Sequence, residues 1–236
     1  MECQMFNFAN WILSGAVLTS PFMALDTAQV ETPVVETETA ANAEVAPAEV
    51  APVEAFNRTE ALARANASLN AIDTARGQFS QLDPNNHFST GTFYLNRPGR
   101  LRFEYDAPVP LLIVSDGTTL AIEDTDLETV DRVPLVSTPL NLILRRNTDL
   151  AEHADIISIE RKAGYVAIRV ADKSGEAEGE LELFFDPEDY TLARWEAIDM
   201  MGGITTVQLN DIELGVSVDP RLFRIEDPED EDDRRR

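Results

Sequence analysis

Cysteine is almost missing from this chain: Cys3 stands alone among 236 residues. No disulfide, cysteine metal site or thiol nucleophile is therefore available to the domain that follows it. Histidine is nearly as scarce. His87 and His153 lie far apart, with no HExxH or His-x-His spacing and no serine elbow beside either, and both read as surface groups rather than metal ligands or catalytic bases. A phosphate-binding glycine loop and a dinucleotide fingerprint are also absent. No cofactor is expected on that basis, and any energy input has to come from another protein. Basic residues are few as well, with 19 Lys and Arg against 43 Asp and Glu for a net charge of -24. Such a chain repels the phosphates that supply most nucleic-acid affinity, so no nucleic-acid partner is expected, and anionic membrane surfaces repel it too.

The charge is unevenly spread, and its distribution marks out the organisation. Residues 1–56 carry eight acids and no Lys or Arg, residues 57–225 carry a net -12, and residues 226–236 carry seven acids against three Arg. Within the first stretch, residues 8–25 form an apolar run interrupted by Asn10 and Pro21. Its length suits the core of an export signal over residues 1–25, with a buried or lone membrane helix as the other reading. Cys3 has no apolar run before it, so no bacterial acylation signal precedes it. Residues 26–56 are Ala, Glu, Thr, Val and Pro with few large apolar groups; they cannot repay their ordering entropy and read as an extended acidic linker. The run 226–236 reads as a solvated, disordered tail.

Order is expected over residues 57–225. Asn57 can cap a helix with Glu60 three residues on, and Leu62, Ala65, Leu69 and Ile72 recur on one face, which predicts one amphipathic helix of about four turns. The period then changes to two: Phe93 and Leu95; Leu101, Phe103 and Tyr105; Leu120 and Ile122; Ile157 and Ile159; Val166, Ile168 and Val170. It continues in Leu181, Leu183 and Phe185; Ala193, Trp195 and Ala197; and Thr205, Val207 and Leu209. Turn residues such as Asp116-Gly117, Asp186-Pro187 and Met201-Gly202-Gly203 separate the runs. Many short antiparallel strands joined by tight turns predict a mainly β fold with a few helices, in a strongly curved sheet or open barrel. Between Thr138 and Arg146 the pattern turns helical again, with Pro139 at the first turn and Leu140, Ile143 and Leu144 on one side. Both helices are expected to cover the open concave face.

Three pieces in order carry a family likeness: Asn96-Arg97-Pro98-Gly99-Arg100-Leu101-Arg102-Phe103-Glu104-Tyr105, then Leu111-Leu112-Ile113-Val114-Ser115-Asp116-Gly117, then Ser137-Thr138-Pro139-Leu140-Asn141-Leu142-Ile143-Leu144. At those spacings the chain resembles the LolA family of periplasmic lipoprotein carriers. The resemblance covers roughly residues 57–225 and implies an unclosed antiparallel half-barrel under a helical lid. It also implies an apolar cavity for acyl chains, at positions matching Phe93, Leu101, Phe103, Tyr105, Ile113, Leu140, Leu142 and Ile143. By the same resemblance, Arg97 of the Arg-Pro pair would latch the lid, a task suited to a guanidinium with five donors in fixed geometry. The implied partners are acylated lipoproteins, the inner-membrane Lol ABC transporter as donor, and an outer-membrane receptor or the outer membrane itself as acceptor. The protein would act as a monomer, not an enzyme, in the periplasm. Phe223 and Ile225 resemble the family's last strand.

Other readings stay beside this one. Taken alone, the alternation Leu101, Phe103, Tyr105 is ordinary core packing, and an arginine before proline is ordinarily an exposed rim residue. A periplasmic sensor domain could use the same half-barrel to detect lipoprotein or lipid. The acidic pairs Glu123-Asp124 and Glu188-Asp189 could suggest a glycosidase dyad, though turn solvation accounts for them better.

Overall fold

The structure, a computed structural model, describes residues 56–225. The export signal over 1–25, the linker up to residue 55 and the acidic tail lie outside the described residues. Among the described residues, no helix is long and apolar enough to cross a membrane.

Helix α1 (Arg58–Ala71) begins where its capping signal sits: the Asn57 side chain accepts from Glu60 N at 3.2 Å. It buries Ala61, Ala65 and Leu69, one residue per turn. Eleven strands follow: β1 (Thr74–Leu82), β2 (Phe88–Asn96), β3 (Arg100–Tyr105), β4 (Leu111–Asp116), β5 (Thr119–Asp124) and β6 (Thr129–Pro134). After an interruption come β7 (Ala154–Lys162), β8 (Tyr165–Asp172), β9 (Glu180–Phe185), β10 (Leu192–Ile198) and β11 (Ile204–Leu214). All pairs are antiparallel, in the order β6-β5-β4-β3-β2-β1-β11-β10-β9-β8-β7. Sequence neighbours pair everywhere except at the centre, where the first and last strands meet. As a consequence β6 and β7, consecutive in the chain, form the two free edges, and the sheet does not close. The 135–153 segment between them holds a 3-10 turn (Leu135–Ser137) and two short helices, α2 (Asn141–Leu144) and α3 (Leu150–His153).

The sheet wraps strongly. Phe103 on β3 and Trp195 on β10 are four strand steps apart, about 19 Å in a flat sheet, yet their ring centroids lie 6.0 Å apart. Phe103 also meets Phe79 edge-on at 4.7 Å, and Phe79 meets Tyr105 at 5.0 Å. Two close cross-strand pairs support this cluster: Gly77 faces Phe93, and Gly91 faces Phe79. A Cβ on Gly77 would lie 2.7 Å from the Phe93 ring, and one on Gly91 would lie 2.6 Å from the Phe79 ring. Glycine at both positions lets each ring lie flat over its partner strand.

Several expectations shift by a residue or an element. Bulges break the period of two on β7 and β10. Ile157 is skipped by the ladder and 48% exposed, so only Ile159 of that pair is buried. Ala193 is likewise skipped, and Leu192 takes the inward place that alternation gives to Ala193. In the β4–β5 hairpin the loop residues are Gly117-Thr118 rather than Asp116-Gly117, because Asp116 ends β4 and its Oδ1 accepts from Thr118 N and Thr119 N. Phe223 sits in a 3-10 turn (Pro220–Phe223) instead of a last strand. Pro220 removes a ladder donor, Asp219 caps the turn at Arg221 N, and Phe223 is buried with the turn packed against β3 and β4. Strands β1 and β6 and helix α3 were not foreseen.

Candidate functional site

The insert between β6 and β7 follows from local chemistry. Thr138 and Pro139 start a hydrogen-bonded coil, with Asn141 N donating to Thr138 O and Leu142 N to Pro139 O, so the expected helix forms as one turn over Asn141–Leu144. At 100° per residue, Leu140, Ile143 and Leu144 share a side, and Leu142 lies about 200° from Leu140. The cavity linings follow that geometry. All four leucine and isoleucine side chains are buried, but Leu140, Ile143 and Leu144 line a cavity, whereas Leu142 lines neither.

Two apolar cavities lie between this insert and the sheet. The first, about 620 Å³ counted out to its open mouth, is lined by Phe103, Tyr105 and Ile113 from one side of the sheet and Leu181, Trp195 and Val207 from the other. The second, about 670 Å³ on the same measure, lies under Leu69 and Ile72 of α1 and is lined by Phe93, Leu101, Leu192 and Leu209 of the sheet. Phe103, Leu140 and Trp195 line both, so these three side chains form the wall between them. Of the eight positions taken from the family likeness, seven line a cavity.

Arg97 sits in the three-residue turn between β2 and β3, preceding Pro98 through a cis peptide. Its guanidinium donates to Leu69 O and Arg145 O, to Ile72 O at 3.5 Å, and to Thr148 Oγ1 at 2.6 Å. Leu69 and Ile72 end α1, and Arg145 ends α2. Helix C-termini leave carbonyls without intrahelical donors and carry partial negative charge, so one planar cation satisfies two helix ends at once. Burial pushes the Arg97 pKa below its ordinary range, against the pull of Asp73; the group remains a cation. Next to it, Gly99 N donates to Leu144 O at 2.9 Å, a second tie between the β2–β3 turn and α2.

Sequence reasoning missed the rest of this polar anchorage. Asn70 embraces the Thr148 backbone, with Nδ2 donating to its O at 2.8 Å and Oδ1 accepting from its N at 2.7 Å. Asn66, one turn earlier, accepts from Leu150 N and donates to Asp149 Oδ1. The i, i+4 spacing of the two asparagines on α1 was the available signal. Trp195 was read only as an inward strand residue, and nothing in its neighbourhood marked it as a cavity wall.

The competing chemistries find little here. His87 Nδ1 lies 2.9 Å from Asp83 Oδ2 in the β1–β2 hairpin, and His153 ends α3. Among the described residues no group of three His, Cys, Asp or Glu side chains could hold a metal ion. Asp124 Oδ1 accepts from Asp126 N and Leu127 N, and Asp189 Oδ1 from Thr191 N, which are turn-stabilising roles.

Residues 70–226 match the family described as outer membrane lipoprotein carrier protein LolA. An outer-membrane lipoprotein carrier protein of Methylococcus capsulatus is 31% identical over 179 residues, covering 72% of this chain and 85% of that relative. One from Halorhodospira halophila is 30% identical over 167 residues, covering 67% and 77% respectively. Among solved structures, a LolA superfamily protein from Nitrosomonas europaea aligns at 10% identity with a TM-score of 0.44, over 72% of this chain and 99% of that one.

Proposed function

Since this chain belongs to the LolA family, we propose that it is a periplasmic carrier that shelters the acyl chains of lipoproteins beneath its insert and moves them from the inner to the outer membrane. The observation that carries this reading is the pair of apolar cavities separated only by side chains, one of which, Leu140, belongs to the insert. At about 0.8 kcal/mol per buried CH₂, a chain of some fifteen methylenes carries on the order of ten kcal/mol of transfer free energy, so it cannot wait free in water. Displacing Leu140, Ile143 and Leu144 exchanges one apolar contact for another and joins the two spaces. Arg97 is the latch in this reading, because it holds the ends of α1 and α2 together while the cavity is empty. Cargo that shifts α2 has to work against those bonds, which keeps binding reversible.

The domain spanning 57–225 would do this as a monomer, exported by the signal over 1–25, with residues 26–56 and 226–236 as flanking acidic segments. No step needs a cofactor or a covalent change. The donor would be the inner-membrane Lol ABC transporter and the acceptor an outer-membrane receptor or the membrane itself. Phe88 at the start of β2 and Met200 and Met201 in the β10–β11 turn are 69%, 71% and 83% exposed. Exposed apolar groups of this kind suit direct hand-over.

Protein purified from the periplasm should carry triacylated peptides detectable by mass spectrometry, and it should release a triacylated lipoprotein from spheroplasts in soluble complex. A ligand-free protein that leaves such cargo on the membrane overturns the reading. Capture of a membrane-bound signalling partner without transfer would instead indicate a sensor.

A further inference from the structure

One wall of the first cavity is polar, and the carrier reading gives it nothing to do. Gln81 and Thr205 are each 5% exposed, and both line this cavity together with Tyr105. The register explains how they meet. Gln81 pairs with Val207 on β11, so Thr205, two residues along, lies diagonally beside it on the same face. Tyr105 reaches over Gly91 and Phe79, and its hydroxyl donates to Gln81 Oε1 at 2.8 Å. Thr205 Oγ1 is buried without a hydrogen-bond partner among the described residues. A buried hydroxyl left unpaired is destabilising, and native structures seldom keep one without a use.

We propose that Gln81, Tyr105 and Thr205 form a neutral hydrogen-bonding subsite that takes the ester carbonyl of a bound acyl chain. This rests on the carrier reading and states which part of the cargo the first cavity recognises. Thr205 Oγ1–H is the free donor; it is covered as it stands, so an incoming carbonyl reaches it by turning the Thr205 side chain towards the cavity. The Gln81 oxygen is committed to Tyr105, which leaves the carboxamide N–H groups as what Gln81 can offer. Burial pushes the Tyr105 phenol well above its ordinary value, so it stays neutral and keeps its proton. No Lys or Arg lines this cavity, whereas Arg97 lines the second. A free fatty-acid carboxylate or a phosphate would have to shed water here without a counter-charge, which is costly; an ester carbonyl needs only a donor. The subsite therefore selects acyl esters over free acids and fixes how deep the chain enters.

The test compares two synthetic probes on the full chain: an S-(2,3-dipalmitoyloxypropyl)cysteinyl peptide and its dihexadecyl ether counterpart, which keeps the chains and drops both carbonyls. The ester probe should bind about fivefold to tenfold more tightly, the worth of one or two neutral hydrogen bonds. Thr205→Val should bring that ratio close to one, and Thr205→Ser should restore it. The ligand-free Thr205→Val protein should melt no lower than the parent, since it removes an unpaired buried hydroxyl. Equal binding of ester and ether by the parent protein overturns the subsite while leaving the carrier reading intact, and this comparison needs no variant. A ratio unchanged by Thr205→Val also overturns it. Failure of the parent to bind either probe overturns the subsite and the carrier reading together.

Discussion

The two halves of the insert between β6 and β7 are held by different forces. The first, 135–144, is tied at its ends by Leu135 N to Thr118 O and by Gly99 N to Leu144 O. Between those points Pro139, Leu140, Leu142 and Ile143 are buried in apolar surroundings. The second, 145–153, is fastened by Arg97, Asn70 and Asn66, all to its backbone or short polar side chains. Apolar contact is non-directional, and a hydrocarbon ligand can replace it; a directed hydrogen bond has no such substitute in a lipid chain. The first half is thus suited to give way to a ligand, and the second to hold until the Arg97 bonds at its start are released.

Four perturbations bear on this contrast. The largest effect should come from Arg97→Leu, which strips the ends of α1 and α2 of their donor. We expect a loss of about 2–4 kcal/mol and a melting temperature lower by roughly 5–10 °C, with altered cargo release, read by calorimetry and a transfer assay. If transfer kinetics stay unchanged, Arg97 is not a latch. Asn70→Ala should cost about 1–2 kcal/mol by losing both bonds to Thr148, yet leave the affinity for an acylated peptide within about twofold, since the residue lines neither cavity. A large drop in affinity would break the division between the halves. Leu140→Ala should cost only about 1 kcal/mol, below the usual 2–5 for a buried leucine, because the space around it is already incompletely filled. It should also raise uptake of an apolar fluorescent probe by joining the two cavities. A full core penalty with no gain in uptake would mean that Leu140 is ordinary packing.

The smallest effect concerns pH. Burial raises the Asp116 pKa, but hydrogen bonds from Thr119 N, Thr118 N and Thr118 Oγ1 outweigh it and hold the carboxyl below its ordinary value. Its stabilising contribution is therefore complete above the usual carboxylate range and disappears as pH falls through the lowered value. Asp116→Asn should melt slightly below the parent at neutral pH and level with it in strong acid. Gly99, which a Cβ would press to 2.7 Å from Gly117 Cα, links this hairpin to the tie on Leu144. Acid should consequently loosen the first half of the insert before the second, visible as earlier amide exchange.

Much of the fold was legible because its signals are local. Asn57 and Glu60 mark the start of α1 through one capping contact. The alternation at Leu101–Tyr105 holds over an unbulged strand, while at Leu181–Phe185 the intervening Glu182 and Phe184 are buried as well. Strand β1 escaped because its inward places go to Ala75, Gly77, Phe79 and Gln81, so period-two hydropathy is faint there. Ile157 and Ala193 misled because a bulge shifts the phase without a compositional mark. Arg97 was singled out by the family resemblance of its Arg-Pro pair, which taken alone reads as an exposed rim residue. Thr205 and Asn70 were not, since their significance lies in groups more than 75 residues away or in a side-chain oxygen with no hydrogen-bond partner among the described residues.

Sequence alone determined most of the strands, the first helix, the apolar turn at Leu140–Leu144 and the acidic character, for each depends on composition or on neighbours within a turn or a pleat. Only tertiary structure decided that β3 and β10 share a cavity, that one guanidinium serves two helix ends, and that a buried threonine hydroxyl beside that cavity is left without a hydrogen-bond partner among the described residues. Those outcomes depend on register and on the curl of the sheet, which bring together residues about a hundred positions apart and which no local pattern encodes.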